Sequence, residues 1–190
     1  MCTDANIVAL PGPGQPLQAR LQQLIPDWKT SLCDQAGAPC GAPRLLIVCA
    51  SAVAANDVVT KLLPAFNALQ CCGKLYAKHF KQAEQEAWLR AHAVSVASGT
   101  PHRLAALAEA GALSIKRLQW VVVDVGLDVK QRTLLDQPEN ARDFWALYDG
   151  VVRRLMEAGQ VKLVLWSAKE SAAVLSCKRR QQVVASLCGD

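Results

Sequence analysis

Nowhere in its 190 residues does the chain hold the roughly 20 consecutive apolar residues that a membrane-spanning helix requires, nor do its first 30 residues pair a charged head with an apolar signal core. These absences lead to the expectation of a soluble, intracellular protein without a membrane partner. There is no C-x-x-C pair, and His79, His92 and His102 stand at no zinc spacing from a cysteine pair, so no metal is expected. Eight cysteines would suggest a disulfide framework in a short secreted chain, but seven of them, Cys33, Cys40, Cys49, Cys71, Cys72, Cys177 and Cys188, are scattered, and Cys49 lies inside an apolar run. They read as reduced thiols. Aromatic residues make up only 5% of the chain, and Trp28, Trp88, Trp120, Trp145 and Trp166 do not interleave with basic residues as a base-stacking platform would. Most are expected in the core or packed on a sheet. Finally, no G-x-x-x-x-G-K-[ST] loop is present, the pattern whose backbone N–H groups and lysine hold nucleotide phosphates. The early glycine-rich run LPGPGQP has prolines that remove donors, lacks the lysine and hydroxyl, and has no convincing strand before it. It reads as a loop.

What remains is the composition of an ordinary globular domain, with 52% apolar and 19% charged residues. The length fits one such unit. The net charge of +5 is distributed unevenly: residues 1 to 43 sum to −1, 44 to 120 to +5, 121 to 160 to −2 and 161 to 190 to +3. A surplus of this size tolerates an anionic partner without requiring one.

Short apolar runs alternate with longer amphipathic ones, the sequence form of βα alternation. The strand candidates are residues 45 to 49, 74 to 77, 93 to 97, 119 to 124 and 162 to 166. LLIVC and WVVVD are apolar at nearly every position, which indicates strands covered on both faces and hence a mainly parallel sheet between helical layers. Residues 53 to 69 carry Val58, Val59, Leu62, Leu63, Phe66 and Leu69 on one helical stripe, and residues 138 to 158 repeat the pattern with Phe144, Leu147, Tyr148, Val151, Val152, Leu155 and Met156. Asp136 before Pro138 and Glu139 reads as an N-cap with Gly159 as the matching stop; Thr100 and Pro101 open a helix that Gly111 closes. The expected class is therefore α/β, a doubly wound, mainly parallel sheet. The expected division is an N-terminal tail over residues 1 to 15, one domain over 16 to 168 beginning with a helix at about 16 to 32, and a basic C-terminal helix or tail over 169 to 190. That last segment carries Lys178, Arg179 and Arg180, a cluster whose ordinary role is a solvated face.

In an open parallel sheet, ligands are held by loops at the carboxyl ends of the strands. Those loops read CASAVAAND, SGTPHR, VDVGLD and SAKE in order. This succession, a small-residue Ser loop, a GTP-x-R loop, a strand ending in aspartate and a strand ending in Ser-Ala, resembles the first RecA-like domain of DEAD-box RNA helicases. Within that relationship LLIVCASAVAANDVV, KLYAKHFKQAEQ, SGTPHRLAALAEAGALSIKRLQWVVVD and VKLVLWSA are closer to the Cms-type assembly factors of the small-ribosomal-subunit precursor. The likeness covers about residues 44 to 168.

The resemblance implies a degenerate RecA-like domain. Asp124 matches the first aspartate of the DEAD motif, but Val125, Gly126 and Leu127 replace the rest, Asp128 is one position late, and Ser167-Ala168-Lys169 replaces Ser-Ala-Thr. The 22 residues given after Ala168 are too few for the second RecA-like domain of a helicase. No catalytic residues, no cofactor and no nucleotide are therefore expected. The loops related to RNA contact are better kept: Gly99, Thr100 and Arg103 match the motif that grips an RNA backbone, with His102 in place of its glycine, and Ser51 matches the hydroxyl of another, with Ala52 in place of its arginine. Lys78, beside His79 and Lys81, has the basic character of an RNA- or protein-facing loop. The implied partners are pre-ribosomal RNA and ribosome-assembly proteins, and the implied location is the nucleus, in the nucleolus. Two alternatives stand beside this reading: an ATP-dependent RNA helicase fragment completed by a partner chain, and a generic α/β protein-interaction module.

Overall fold

The computed structural model describes residues 6 to 167 apart from 13, 33, 35, 69 to 71 and 79, together with residue 185. Lys178, Arg179 and Arg180, and the helix expected around them, lie outside the described residues. Six strands form one sheet: β1 (Ile7–Ala9), β2 (Leu45–Val48), β3 (Cys72–Leu75), β4 (Val96–Gly99), β5 (Trp120–Asp124) and β6 (Lys162–Trp166). Their spatial order is β1-β6-β5-β2-β4-β3, and all five pairings are parallel. The expected α/β class is the one observed.

The alternation of side chains along β2 explains why its sequence is apolar throughout. Leu45, Ile47 and Cys49 pack into one buried cluster with Leu17, Leu21, Ala55, Val58 and Phe66. Leu46 and Val48 face the other way, into a cluster with Leu104, Leu107, Phe144, Leu147 and Tyr148. The first helical layer comprises α1 (Leu17–Leu24), α2 (Trp28–Ser31), α3 (Ala52–Asp57) and α4 (Pro64–Ala68). The second includes α5 (Gln82–Ala91), α6 (Pro101–Glu109), α7 (Pro138–Leu147) and α8 (Arg153–Glu157), with Leu89 of α5 in the same cluster and Gln85 of α5 bonded to the Lys74 and Tyr76 carbonyls at the end of β3. Each large aliphatic side chain buried this way contributes about 1.5 to 3 kcal/mol. No helix among the described residues is long and apolar enough to cross a membrane.

The departures from the sequence reading have local causes. Residues 7 to 9, expected in a tail, form an edge strand in register with Leu163 to Leu165 of β6. A three-residue strand is too short to show a period of two, and its partner lies about 155 positions away in the chain. The helix expected over residues 16 to 32 breaks because Ile25 precedes Pro26 and adopts φ −126°, ψ 82°. Leu63 before Pro64 likewise leaves helical geometry at φ −126°, ψ 52°, after a π-helical turn at Val58–Leu62. Asp136 does not cap α7: it belongs to a 3-10 turn, and its carboxylate reaches back to the Thr133 backbone N–H at 2.7 Å and hydroxyl at 2.8 Å. Gly111 and Gly159 take the expected left-handed conformation after their helices, at φ 67° and 69°.

Candidate functional site

The carboxyl ends of β2, β5 and β6 open onto a cleft of about 500 Å³ lined by Ser51, Asp57, Lys61, Asp124, Asp128 and Trp166, among others. This is where the chain order switches sides: from β2 the connection runs outward to β3, and from β4 it crosses back to β5. Its acidic groups already have partners. The Asp124 carboxylate accepts from the Gly126 N–H at 2.9 Å, and a Cβ on Gly126 would stand 2.9 Å from that same oxygen. Asp128 takes the Lys130 and Arg132 backbone N–H groups at 2.8 and 2.9 Å, and its other oxygen takes Arg132 Nε and Nη2 at 3.1 and 2.9 Å. These bonds, led by the Arg132 backbone N–H, hold its carboxyl below the usual carboxylate range. Its chemistry is that of a loop staple. Asp57 pairs with Lys61 at 2.9 Å. The Cys49 thiol beneath the cleft is pushed up to about 12 by burial and then by the Asp124 charge, so it is inert.

At the outer end of this half, the glycine-rich residues 10 to 16 do follow a strand, β1, and do precede a helix, α1. This corrects the sequence reading that no strand stands before them. The turn nevertheless faces its polar groups inward: the guanidinium of Arg20, only 3% exposed, donates to the carbonyls of Pro11 at 2.8 Å and Leu10 at 3.0 Å. A phosphate cradle is made of backbone N–H groups and a cation free to meet the phosphate, whereas here the buried cation of α1 is committed to two carbonyls of the chain itself. Sequence reasoning missed Arg20, because a single cation on an amphipathic helix carries no signal until the turn it fills is known.

The matched motif residues occupy the turns at the carboxyl ends of β2 and β4, which neighbour each other and are joined by the Cys49 N–H donating to the Gly99 carbonyl at 2.9 Å. Ser51 is the N-cap of α3, and its hydroxyl accepts from the Ala54 N–H at 3.2 Å. Gly99 is required by packing: a Cβ there would lie 2.2 Å from the Leu75 carbonyl oxygen and 2.8 Å from Leu104 Cδ2. Thr100 stands at the N-cap of α6, but its hydroxyl makes no capping bond; its carbonyl receives the Leu104 N–H at 3.0 Å. His102 is exposed and turns to Asp143 on α7, with Nδ1 3.1 Å from Oδ2.

Arg103 is the residue whose placement departs most from its sequence-level role. It is 8% exposed, and its Nη1 donates inward to Gln85 Oε1 at 2.6 Å and to the Phe80 carbonyl at 3.2 Å. Gln85 in turn donates from Nε2 to the carbonyls of Lys74 at 2.8 Å and Tyr76 at 3.1 Å. Arg103 thus binds α6 to the β3–α5 connection, the segment on which Lys78 and Lys81 are exposed. His79 lies outside the described residues. Of the tryptophans, Trp166 is 3% exposed and Trp28 meets Phe66 at 4.5 Å between ring centroids, as the packing expectation holds, but Trp88 is 38% exposed on α5.

A parallel sheet in this order, with its loops gathered above β2, β5 and β6, has a fold similar to the RecA-like domains of DEAD-box proteins. Yeast Dbp5 (S. cerevisiae), in its L327V form bound to Nup159, Gle1 H337R, IP6 and ADP, superposes with a TM-score of 0.62 at 16% identity, over 96% of this chain and 41% of that one. A DEAD-box protein from Methanococcus jannaschii superposes with 0.51 at 16% identity, over 92% and 42%. The chain belongs to the CMS1 family, described as the U3-containing 90S pre-ribosomal complex subunit, whose model matches residues 12–166. Protein CMS1 of Chaetomium thermophilum is 40% identical over 107 residues, which are 56% of this chain and 43% of that protein. Protein CMSS1 of Danio rerio is 32% identical over 151 residues, 79% of this chain and 51% of that protein. The chain spans about half the length of the curated relatives it matches.

Proposed function

We propose that the chain acts in ribosome biogenesis as a non-catalytic, helicase-like assembly factor in the nucleolus, contacting pre-ribosomal RNA or assembly proteins through the loops at the carboxyl ends of β2, β3 and β4. The family's description as a subunit of the U3-containing 90S pre-ribosomal complex supports the setting. The observation that carries the non-catalytic part is the β1–α1 turn, whose Leu10 and Pro11 carbonyls are met by the chain's own Arg20 and which carries no lysine of the kind that neutralises nucleotide phosphates. The self-satisfied carboxylates of Asp124 and Asp128 support the same reading, since metal-assisted phosphoryl transfer needs an acidic group aimed at magnesium and another that activates water.

Of the proposed contact residues, Lys78 presents its charge outward, while Ser51, Gly99 and Thr100 shape the turns beside it. Arg103 acts as a positioning residue, holding the segment that carries Lys78. Lys178, Arg179 and Arg180 remain part of the proposal on sequence alone. RNA held this way is held by its phosphates, so affinity falls steeply with salt and varies little with base sequence. The deciding experiment is co-sedimentation of the chain with small-subunit precursor particles, before and after RNase treatment, beside an assay of RNA-stimulated ATP turnover. Association lost or reduced by Lys78→Glu but not by Arg142→Glu is the expected result. ATP turnover abolished by Asp124→Ala overturns it in favour of a partner-completed helicase.

A further inference from the structure

We propose that the outer edge of the sheet, where Phe80 and Trp88 flank a pocket beside β3, is a docking site for a protein segment that presents one large apolar side chain within an acidic flank. The site adjoins the β3–α5 segment that carries Lys78 in the reading given above and rests on that reading for its basic flank, but its pocket is at the outer edge of the sheet, away from the turns at the ends of β2 and β4.

Among the described residues, Phe80 and Trp88 are two of the few large apolar side chains left exposed, at 39% and 38%, and they stand over one pocket of about 320 Å³ completed by Cys72, Lys74, Glu84 and Gln85. Paired exposed aromatics around a concavity of this size are what an interface anchor fills. Next to the pocket, Gly73 of β3 has no side chain, and a Cβ there would lie 3.6 Å from the Trp88 ring and 3.1 Å from Val94. The indole therefore lies close over the strand.

β3 is the last strand of the sheet, which raises the question of strand addition along its free edge. Gln85 answers it, because its amide already takes the carbonyls of Lys74 and Tyr76. The edge is blunted, and what it offers is a side-chain pocket, not a ladder of backbone groups. The same geometry separates a protein from a nucleic acid. A base needs hydrogen-bond partners for its edge, yet the Gln85 amide is committed on both sides, its oxygen receiving Arg103. One face of the Trp88 indole is already taken by His92, stacked at 4.9 Å between centroids and 15° between planes, which leaves less ring surface for base stacking. An apolar side chain meets neither difficulty.

Charge sets the flank of the partner. The segment that frames the pocket carries Lys74, Lys78 and Lys81, while the carboxylate of Glu84 turns back onto the Lys81 backbone N–H at 3.2 Å. With Lys74 in the lining beside Glu84, and Lys78 and Lys81 exposed on the same segment, the surroundings favour an anchor with acidic neighbours over a basic one.

The test uses the full chain and fluorescein-labelled probes read by fluorescence anisotropy: a dodecapeptide of Asp and Glu around a central Leu-Phe, the same peptide with Ser-Ser at its centre, the Leu-Phe centre flanked by lysines, and a ten-nucleotide oligouridylate. The expected result is that only the acidic Leu-Phe peptide binds in the micromolar to submillimolar range, and that Trp88→Ala weakens it about tenfold or more. The double substitution Lys74→Glu, Lys81→Glu is expected to abolish it, and Arg142→Glu to leave it unchanged. The double substitution decides the matter if Trp88→Ala melts early. Equal binding by wild type and both variants overturns the proposal, as does no binding of any peptide. So does oligouridylate binding that Trp88→Ala weakens, which assigns the pocket to RNA, or concentration-dependent dimerisation that Trp88→Ala removes, which assigns it to a second copy. Neither particle nor precursor RNA enters this measurement, so its failure is distinct from a failure of the sedimentation experiment.

Discussion

The half of the sheet formed by β1, β6 and β5 and the half formed by β2, β4 and β3 end in loops that treat their polar groups differently. In the first, Arg20 closes the β1–α1 turn, Gly126 holds Asp124, and Arg132 clasps Asp128, so acceptors and donors of the chain answer one another. In the second, the inner groups are also satisfied, through Ser51 at its helix and Arg103 at Gln85, but Lys78 and Lys81 are left outward on a connection that this network fixes in place. The charge of the sequence follows the same division, +5 over residues 44 to 120 and −2 over 121 to 160. The lesson is that within one fold, what a loop can bind depends on which groups remain after the chain has satisfied its own.

The largest effect that tests this division is expected at Gly99. Because its new Cβ would meet the Leu75 carbonyl at 2.2 Å, Gly99→Ala should cost about 3 kcal/mol or more in chemical denaturation. Wild-type stability with impaired particle association would instead return this glycine to a direct contact role. Next come two buried arginines, one from each half. Arg20→Met strands the carbonyls of Leu10 and Pro11, and Arg103→Met strands Gln85 Oε1 and the Phe80 carbonyl, each costing about 2 to 3 kcal/mol. Their difference is the sharper test: hydrogen exchange should quicken over residues 76 to 81 in Arg103→Met and over residues 10 to 16 in Arg20→Met, with no gain of ATP binding in the latter. Quickened exchange at the same sites in both variants would dissolve the contrast.

A smaller pair compares two hydroxyls at helix starts. Ser51→Ala removes a capping bond and should lower stability by about 1 kcal/mol, whereas Thr100→Ala removes none and should melt close to wild type. Thermal melts that rank them the other way would show that the Thr100 hydroxyl caps α6 in solution. The smallest expected effect is the acid response of Asp128. Its carboxyl is depressed in the folded chain, so its contribution is present above the unfolded carboxylate pKa and is lost as pH falls through the lower folded value. Asp128→Asn should therefore flatten the stability profile below about pH 4 and leave its slope near pH 7 unchanged; a change confined to neutral pH would contradict the assignment.

Five of the six strands were legible, β2, β5 and β6 because a strand buried on both faces must be apolar along its length, as Leu45 to Val48 and Val121 to Val123 are, whereas the ranges 74 to 77 and 93 to 97 overlap β3 and β4 by only two residues each. The two-layer cover and the succession of loops above the strands could be read from the same runs. β1 could not, since three residues at an edge become a strand only when β6 arrives beside them. In the candidate site, the residue types and their order were visible, but their directions were not. Nothing local distinguishes an arginine aimed at a phosphate from one aimed at Gln85, nor an exposed Trp88 from the tryptophans that pack inside.

By itself, then, the sequence determined the α/β class, the order of the loops and the basic character of the β2 to β5 stretch, because apolar periodicity and charge are properties of neighbours along the chain. Only the tertiary structure decided that Arg103 points inward, that Arg20 fills the turn after β1 and that Phe80 and Trp88 share a pocket at the β3 edge. Each of these depends on which distant carbonyl or ring lies within hydrogen-bonding or van der Waals reach, and that is set by the packing of elements far apart in the sequence.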